Sequence, residues 1–505
     1  MNRLSRRDFV RSVLAAGVLG TLERPLVALA LRDVDRLSFR ANRTAGAEGR
    51  WVLRRVEGEI PKDLNGTLYR TAPGLSENHG VLLRHIFDGD AYASGWSFRE
   101  GRAWMGGRFV ATPEREEELA AGRMMFSEFG TNPPGKDGGP AARRPDKNQP
   151  SVNLVHWDGR LLGLSEGGHP TALDPRTLAY HSRWDFHGTL PQHSFTAHPK
   201  FDLTAGVGYG WGLSYRQGPA LEVYRLEPNG RVAALSSVPM KGSVMVHDVA
   251  LTENFLVFLI PSLHFDRSSM QKRDATPADA LTFDPERPID IVVLSRETGE
   301  LVVRGELPPG VLYHHGNAFE EGTMLTIDTY LSDDNRLNEL LESFSADELL
   351  GSMASAATRL VIDLETGELV EKDVFGEHQE FPRFDERRSG EDLRYVYSAE
   401  ASGAEDPLVF THLARFDLHR GRVERVPAGN GRALGEPVFV PRQDAGSEPA
   451  GWTLQLGYDG PSDTSFLEIR DADSLDLAAR VWAPTHVPLG FHGNFAPNVY
   501  LDAPG

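Results

Sequence analysis

Short apolar runs separated by tight x-Gly turns recur along this chain from about residue 50 onward, and few folds are open to a chain patterned this way. The pairs Asp158-Gly159, Asn229-Gly230, Thr298-Gly299, Thr366-Gly367 and Arg420-Gly421 each lie between β-branched or aromatic segments. Ile291-Val292-Val293-Leu294, for example, precedes Thr298-Gly299, and Leu301-Val302-Val303 follows it. Glycine supplies the positive φ that a hairpin turn requires. The first four pairs fall at intervals of about 70 residues. A hairpin recurring at wide, nearly even intervals points to radial repetition, hence an all-β propeller. A pair of large β-sandwiches is the alternative. Helical interruptions are few. Pro113 to Phe126 reads as one helix, with Glu114, Glu116, Glu117 and Glu118 in the early turns where the helix dipole favours acids. Leu337 to Leu360 has helical apolar spacing broken near Ser345. The polar, Gly- and Pro-rich stretch 130–150 reads as a mobile loop. No domain boundary is visible after residue 50.

Composition narrows the function classes. Forty per cent of the 505 residues are apolar, enough for a sizeable core. The net charge of −19 argues against nucleic acid, which needs a basic face. The chain has no cysteine, which excludes disulfides, zinc–thiolate sites, iron–sulfur clusters, cysteine nucleophiles and a lipoprotein anchor. Any metal must sit on nitrogen and oxygen. The Gly-rich runs lack the strand–turn–helix context of a nucleotide loop, so no organic cofactor is implied. At the start, Ser5-Arg6-Arg7-Asp8-Phe9-Val10 resembles a twin-arginine export signal. An apolar stretch from Val13 to Gly20 and a small–x–small site, Ala28-Leu29-Ala30, follow it. Residues 1–30 are therefore expected to be a signal peptide read by the twin-arginine export machinery. Residues 31–505 would be a single domain delivered to the periplasm. An ordinary basic amphipathic helix is the alternative, and the apolar run is too short for a membrane span.

Four of the 17 histidines sit at the edge of strand-like apolar runs. His198 lies in Phe195-Thr196-Ala197-His198-Pro199, and His247 in Met245-Val246-His247-Asp248-Val249. His314 lies in Tyr313-His314-His315-Gly316-Asn317-Ala318, and His492 in Gly490-Phe491-His492-Gly493-Asn494. A lone inward histidine is more often a hydrogen-bonded core residue than a ligand. A propeller, however, brings distant segments to one axis, where each could donate a side chain. From the residues alone both readings stay open.

Several segments, in order, are similar to those of the carotenoid cleavage oxygenases. They are Gly58-Glu59-Ile60-Pro61-Lys62-Asp63-Leu64-Asn65-Gly66, Phe87-Asp88-Gly89-Asp90, Ser165-Glu166-Gly167-Gly168 and Ala172-Leu173-Asp174-Pro175, together with the histidine segments above. The resemblance runs from about Gly58 to Asn494. It implies a seven-bladed β-propeller with a helical cap over a metal site. It also implies iron(II) held by His198, His247, His314 and His492. The family pattern His-x-x-Asn-Ala selects His314 over its neighbour His315. Glu166, Glu380 and Glu436 match the glutamates that in the family orient the ligating imidazoles. Two departures, Arg70-Thr71-Ala72-Pro73 and Asp88-Gly89-Asp90-Ala91-Tyr92, leave the subfamily open.

The ligand set suits the implied chemistry. Imidazole suits iron(II), and four nitrogen ligands leave at most two octahedral positions for dioxygen and water. A carboxylate on the far N–H of each imidazole fixes its tautomer and raises its basicity. The expected reaction is cleavage of a C=C bond in a carotenoid or apocarotenoid by O2, giving two carbonyl products. The substrate would be an apolar small molecule, with peripheral membrane contact following from its residence in lipid. Cleavage of a phenolic stilbene is the alternative; it calls for a Tyr and a Lys near the metal, and residues 107–130 offer Arg115 and Arg123 but neither Lys nor Tyr. A metal-free exported binding module is the reading from a different class.

Overall fold

The computed structural model describes residues 35–505 except 136–143, 192–193, 404, 443–445 and 447, so the signal expected in residues 1–30 lies outside the described residues. Seven antiparallel sheets of four or five strands form the blades of a β-propeller, joined by two small hairpins. The innermost strands are Gly493–Pro497, Asn153–Trp157, Lys200–Asp202, Ala250–Leu251, Val311–Glu321, Gln379–Arg383 and Arg432–Pro441. They surround one axis. The ring is closed twice by residues near the start of the chain. Gly66–Pro73 pairs with Gly493–Pro497, and Val56–Gly58 pairs with Leu477–Trp482. Closure seals the seam of the ring, leaving the outermost strand of each blade as an open edge. The seam is sealed by a dry cluster in which Leu68, Trp96, Leu454 and Ile469 are all fully buried.

The turn glycines lie where hairpins need them. Gly230, Gly299, Gly367 and Gly421, all with positive φ, join the third and fourth strands of four successive blades. Asp158-Gly159 is different: it joins the first and second strands of its blade, between Asn153–Trp157 and Arg160–Leu164. The interval of about 70 residues is therefore not a uniform blade repeat. Insertions stretch it: the hairpin Leu263–Phe265 with Leu281–Phe283, the short helices Arg267–Met270 and Pro277–Ala280, and the helix Arg336–Glu342.

Three local expectations are corrected. The early helix is Pro113–Ala121, capped by Thr112 and stopped at Gly122 (φ 63), short of Phe126. Its Glu118 does not serve the dipole; it is buried and accepts from the Met125 and Phe126 N–H groups at 2.6 and 3.0 Å. The second helix is only Arg336–Glu342, and Leu360 belongs to the strand Ala356–Asp363. The apolar spacing past Ser345 serves packing beneath the cap rather than a continuous helix. The described part of 130–150 is anchored, since buried Lys147 bridges Asp90 (2.8 Å), Glu118 (2.6 Å) and Glu128 (3.2 Å).

Candidate metal centre

The four histidines singled out from the sequence converge at one end of the propeller axis. His198, His247 and His492 each sit just before an innermost strand, and His314 lies in the first turn of another. There the pairing of Val311–Glu321 with its neighbour shifts register between Leu312 and His315. Such an irregularity re-aims side chains. One donor nitrogen from each histidine lies within 4.8 Å of every other. The His247–His314 Nε2 separation is 3.2 Å and that of His314–His492 is 3.0 Å. Metal–nitrogen bonds of about 2.1 Å at right angles place two nitrogens about 3.0 Å apart. All four residues are buried. His315 is not part of the cluster; its Nδ1 lies 3.0 Å from Thr329 Oγ1.

The glutamates fix the tautomers. His314 Nδ1 is 2.6 Å from Glu380, His492 Nδ1 is 3.0 Å from Glu436, and the Glu166 carboxylate lies against His247 Nδ1. With the proton held at Nδ1, each Nε2 presents a lone pair. Three lone pairs then face one another in a buried space at hydrogen-bond distance with no proton between them. A metal cation placed among them relieves that repulsion at all three nitrogens at once. His198 Nε2 is likewise buried without a partner, and no carboxylate touches this residue among the described residues. Burial, reinforced by the neighbouring imidazoles, holds the His198 imidazolium well below the ordinary histidine range. Burial also pushes His492 down to about 3 despite Glu436. For His247, burial lowers the pKa, but Glu166 outweighs it and the net shift is upward. The donor set thus fits a divalent transition metal.

The three carboxylates are supported differently. Glu380 takes neutral donors, Ser355 Oγ at 3.0 Å and the Phe381 N–H at 3.2 Å. Glu436 takes two guanidinium groups, buried Arg70 at 3.2 Å and partly buried Arg383 at 3.0 Å, and the Gly493 N–H at 3.0 Å. Burial alone would raise the Glu436 carboxyl, but Arg383, His492 and Arg70 together hold it well below the usual carboxylate range. Glu166 is the most exposed of the three, its side chain 31% accessible. The sequence reading missed both arginines, although Arg70 and Arg383 lie within or beside segments already singled out. A charged residue inside a fully buried strand such as Gly66–Pro73 is the available signal.

The two faces of the cluster differ in polarity. On the cap side Tyr313 packs edge-on against His247, and Phe381 lies against His314 and His492. Behind them are Met245, Leu340 and Phe410. The Tyr313 hydroxyl donates to Asn338, and burial raises its pKa. On the axial side a cavity of about 90 Å³, lined by Lys200, Asp248 and Arg383 as well as Phe201 and the other side of Phe381, reaches His198, His314 and His492.

Comparison with known proteins agrees with this geometry. The model of the family described as "Retinal pigment epithelial membrane protein" matches residues 42–497. The apocarotenoid-15,15'-oxygenase of Synechocystis is 30% identical over 453 residues, 87% of this chain and 92% of that protein. Resveratrol cleavage oxygenase 1 of Aspergillus fumigatus is 28% identical, covering 87% and 91%. Isoeugenol monooxygenase of Pseudomonas putida is 29% identical, covering 87% and 93%. The crystal structure of cobalt-substituted Synechocystis apocarotenoid oxygenase superposes with a TM-score of 0.85 at 28% identity, covering 92% of this chain and 99% of that one. The propeller, its axial histidine cluster and these matches together establish that the chain belongs to the carotenoid cleavage oxygenase family.

Proposed function

We propose that this protein is a non-haem iron(II) dioxygenase that splits a C=C bond of a carotenoid or apocarotenoid with O2, leaving two carbonyl products. The observation that carries this reading is the set of buried Nε2 atoms that converge as lone pairs beneath an apolar cap. His198, His247, His314 and His492 would hold the metal. Bound iron(II) would supply electrons and open coordination positions for dioxygen. The protein's own residues prepare the site. Glu166, Glu380 and Glu436 keep the Nδ1 protons of three imidazoles in place, and Arg70 and Arg383 keep Glu436 ionised and oriented. Tyr313, Phe381 and Phe410 form an apolar wall that excludes water and suits a hydrocarbon chain.

The phenolic-stilbene reading draws on the resveratrol- and isoeugenol-named relatives. It needs groups able to ionise a phenol. The Tyr313 hydroxyl is engaged by Asn338, and Lys200 is paired with Asp248 at 2.9 Å. Neither is free for that role, which favours the carotenoid reading. Peripheral contact with lipid belongs to the proposal: Leu350, 60% exposed, follows Leu349, which packs on the cap cluster. Periplasmic delivery rests on the Ser5–Val10 segment. The test is a product assay on iron-loaded protein with a panel of apocarotenoids and stilbenes. Paired carbonyl products from an apocarotenoid are expected. Turnover of stilbenes alone would establish the alternative, and absence of metal uptake would favour a binding module.

A further inference from the structure

The axial cavity carries charged and amide side chains that a hydrocarbon chain would not need, and its construction indicates another use. Its volume of about 90 Å³ accommodates several waters, each needing roughly 10–15 Å³ of such space. Asn153, Lys200, Asp248, Arg383 and Asn494 give it one polar wall, facing apolar Phe201 and Phe381. His315 Nε2 borders it, in a side chain 2% exposed, and no protein group meets that nitrogen. A buried orphan acceptor or donor in a polar space calls for water. The inner end is formed by His198, His314 and His492. The outer end is formed by Lys200 and Glu386, whose side chains are 27% and 48% exposed. A cavity with polar groups along it thus runs from partly exposed Lys200 and exposed Glu386 to the histidine cluster.

The histidines differ on this side. His247, His314 and His492 are each pinned by a carboxylate at Nδ1. His198 has none, and it stands two residues before Lys200 at the cavity wall. A ligand without such a partner is the least costly to displace. On the cap face an entering cation would have to shed its water among Met245, Tyr313 and Phe410, which offer little in exchange.

We propose that the metal ion enters and leaves through this axial cavity, passing His198, and that Lys200 and Glu386 set the electrostatic barrier at its mouth. The proposal rests on the reading of the four histidines as a metal centre. Cobalt(II) serves as the probe. Its binding at equilibrium to the metal-free full-length protein is measured first; failure to bind one ion per chain would sink the metal-centre reading itself. Loading is then followed by stopped-flow absorbance at low ionic strength, and release by transfer to a chelator. Lys200→Met removes a positive charge from the mouth and should speed loading about 3- to 10-fold; Glu386→Lys should slow it by a similar factor, as expected for charges that focus small ions. Lys200→Arg should load at the wild-type rate. The differences should shrink at about 1 M salt, where screening acts over about 3 Å. Leu349→Trp, on the cap side, should leave loading unchanged. Glu386→Gln provides a milder mouth variant should Lys200→Met fail to fold. Equal loading rates in the mouth variants, or a loading rate altered by the cap variant alone, would overturn the proposed route while leaving the metal centre intact.

Discussion

Replacing Glu380 and Glu436 by glutamine should give two different failures, although both carboxylates serve a ligand imidazole. At Glu380 the network can be rebuilt. The glutamine oxygen takes the place of Oε2, which accepts from His314 Nδ1 and the Phe381 N–H, while its amide donates to Ser355 Oγ. Only the charge is lost. Losing such a partner costs about 10–100-fold in metal affinity, or about 1.4–2.8 kcal/mol. Glu380→Gln should therefore fold with near-normal stability and hold metal more weakly. At Glu436 the charge has a second duty. Arg70 is fully buried and Arg383 partly so, and their shared counter-ion in this region is Glu436, with Arg383 also reaching the exposed Glu386. Glu436→Gln leaves Arg70 buried without an anion, and breaking a buried pair this way costs about 3–5 kcal/mol. Denaturant unfolding of the metal-free proteins reads stability, and cobalt(II) competition against a chelator reads affinity. Equal unfolding free energies for the two variants, within about 1 kcal/mol, would refute the reasoning, because Arg70 would then tolerate burial alone.

Further outcomes follow from the same geometry. His198→Ala, His247→Ala, His314→Ala and His492→Ala should each abolish turnover and lower bound metal, read by elemental analysis, whereas His315→Ala, whose ring pairs with Thr329, should keep the metal. Burial pushes the Glu128 carboxyl up to about 7 despite Lys147. A carboxyl raised in the folded state favours folding at low pH, and that contribution is lost as pH rises from about 4.3 through 7. Relative to Glu128→Gln, the wild type should therefore lose unfolding free energy between pH 5 and pH 8; parallel profiles would discount the shift. Replacing Arg6 and Arg7 by lysine should block delivery to the periplasm, read by cell fractionation; unchanged periplasmic protein would remove the export assignment.

Fold class and the histidine set were legible in the sequence because both rest on short-range or matched signals. Positive-φ glycines in x-Gly pairs mark hairpins wherever they occur, and the His-x-x-Asn-Ala register separates His314 from His315 without coordinates. Local pattern failed where chain insertions interrupt the blades. Apolar residues from Leu337 to Leu360 have helical spacing, yet most of that stretch packs as cap and strand, because burial against neighbouring blades outweighs intrinsic periodicity. Charge pattern failed in the same way: Glu118 read as a solvated helix acid and is a buried partner of Lys147. What only the tertiary structure decided is which charges meet. Arg70 and Glu436 are 366 residues apart, and His314 and His492 are 178 apart. Their contact depends on the closure of seven sheets about one axis. A one-dimensional pattern records which side chains could be buried. The pairing that makes burial of a charge tolerable, and the division of the site into an apolar cap and a polar axial face, exist only once the ring has closed.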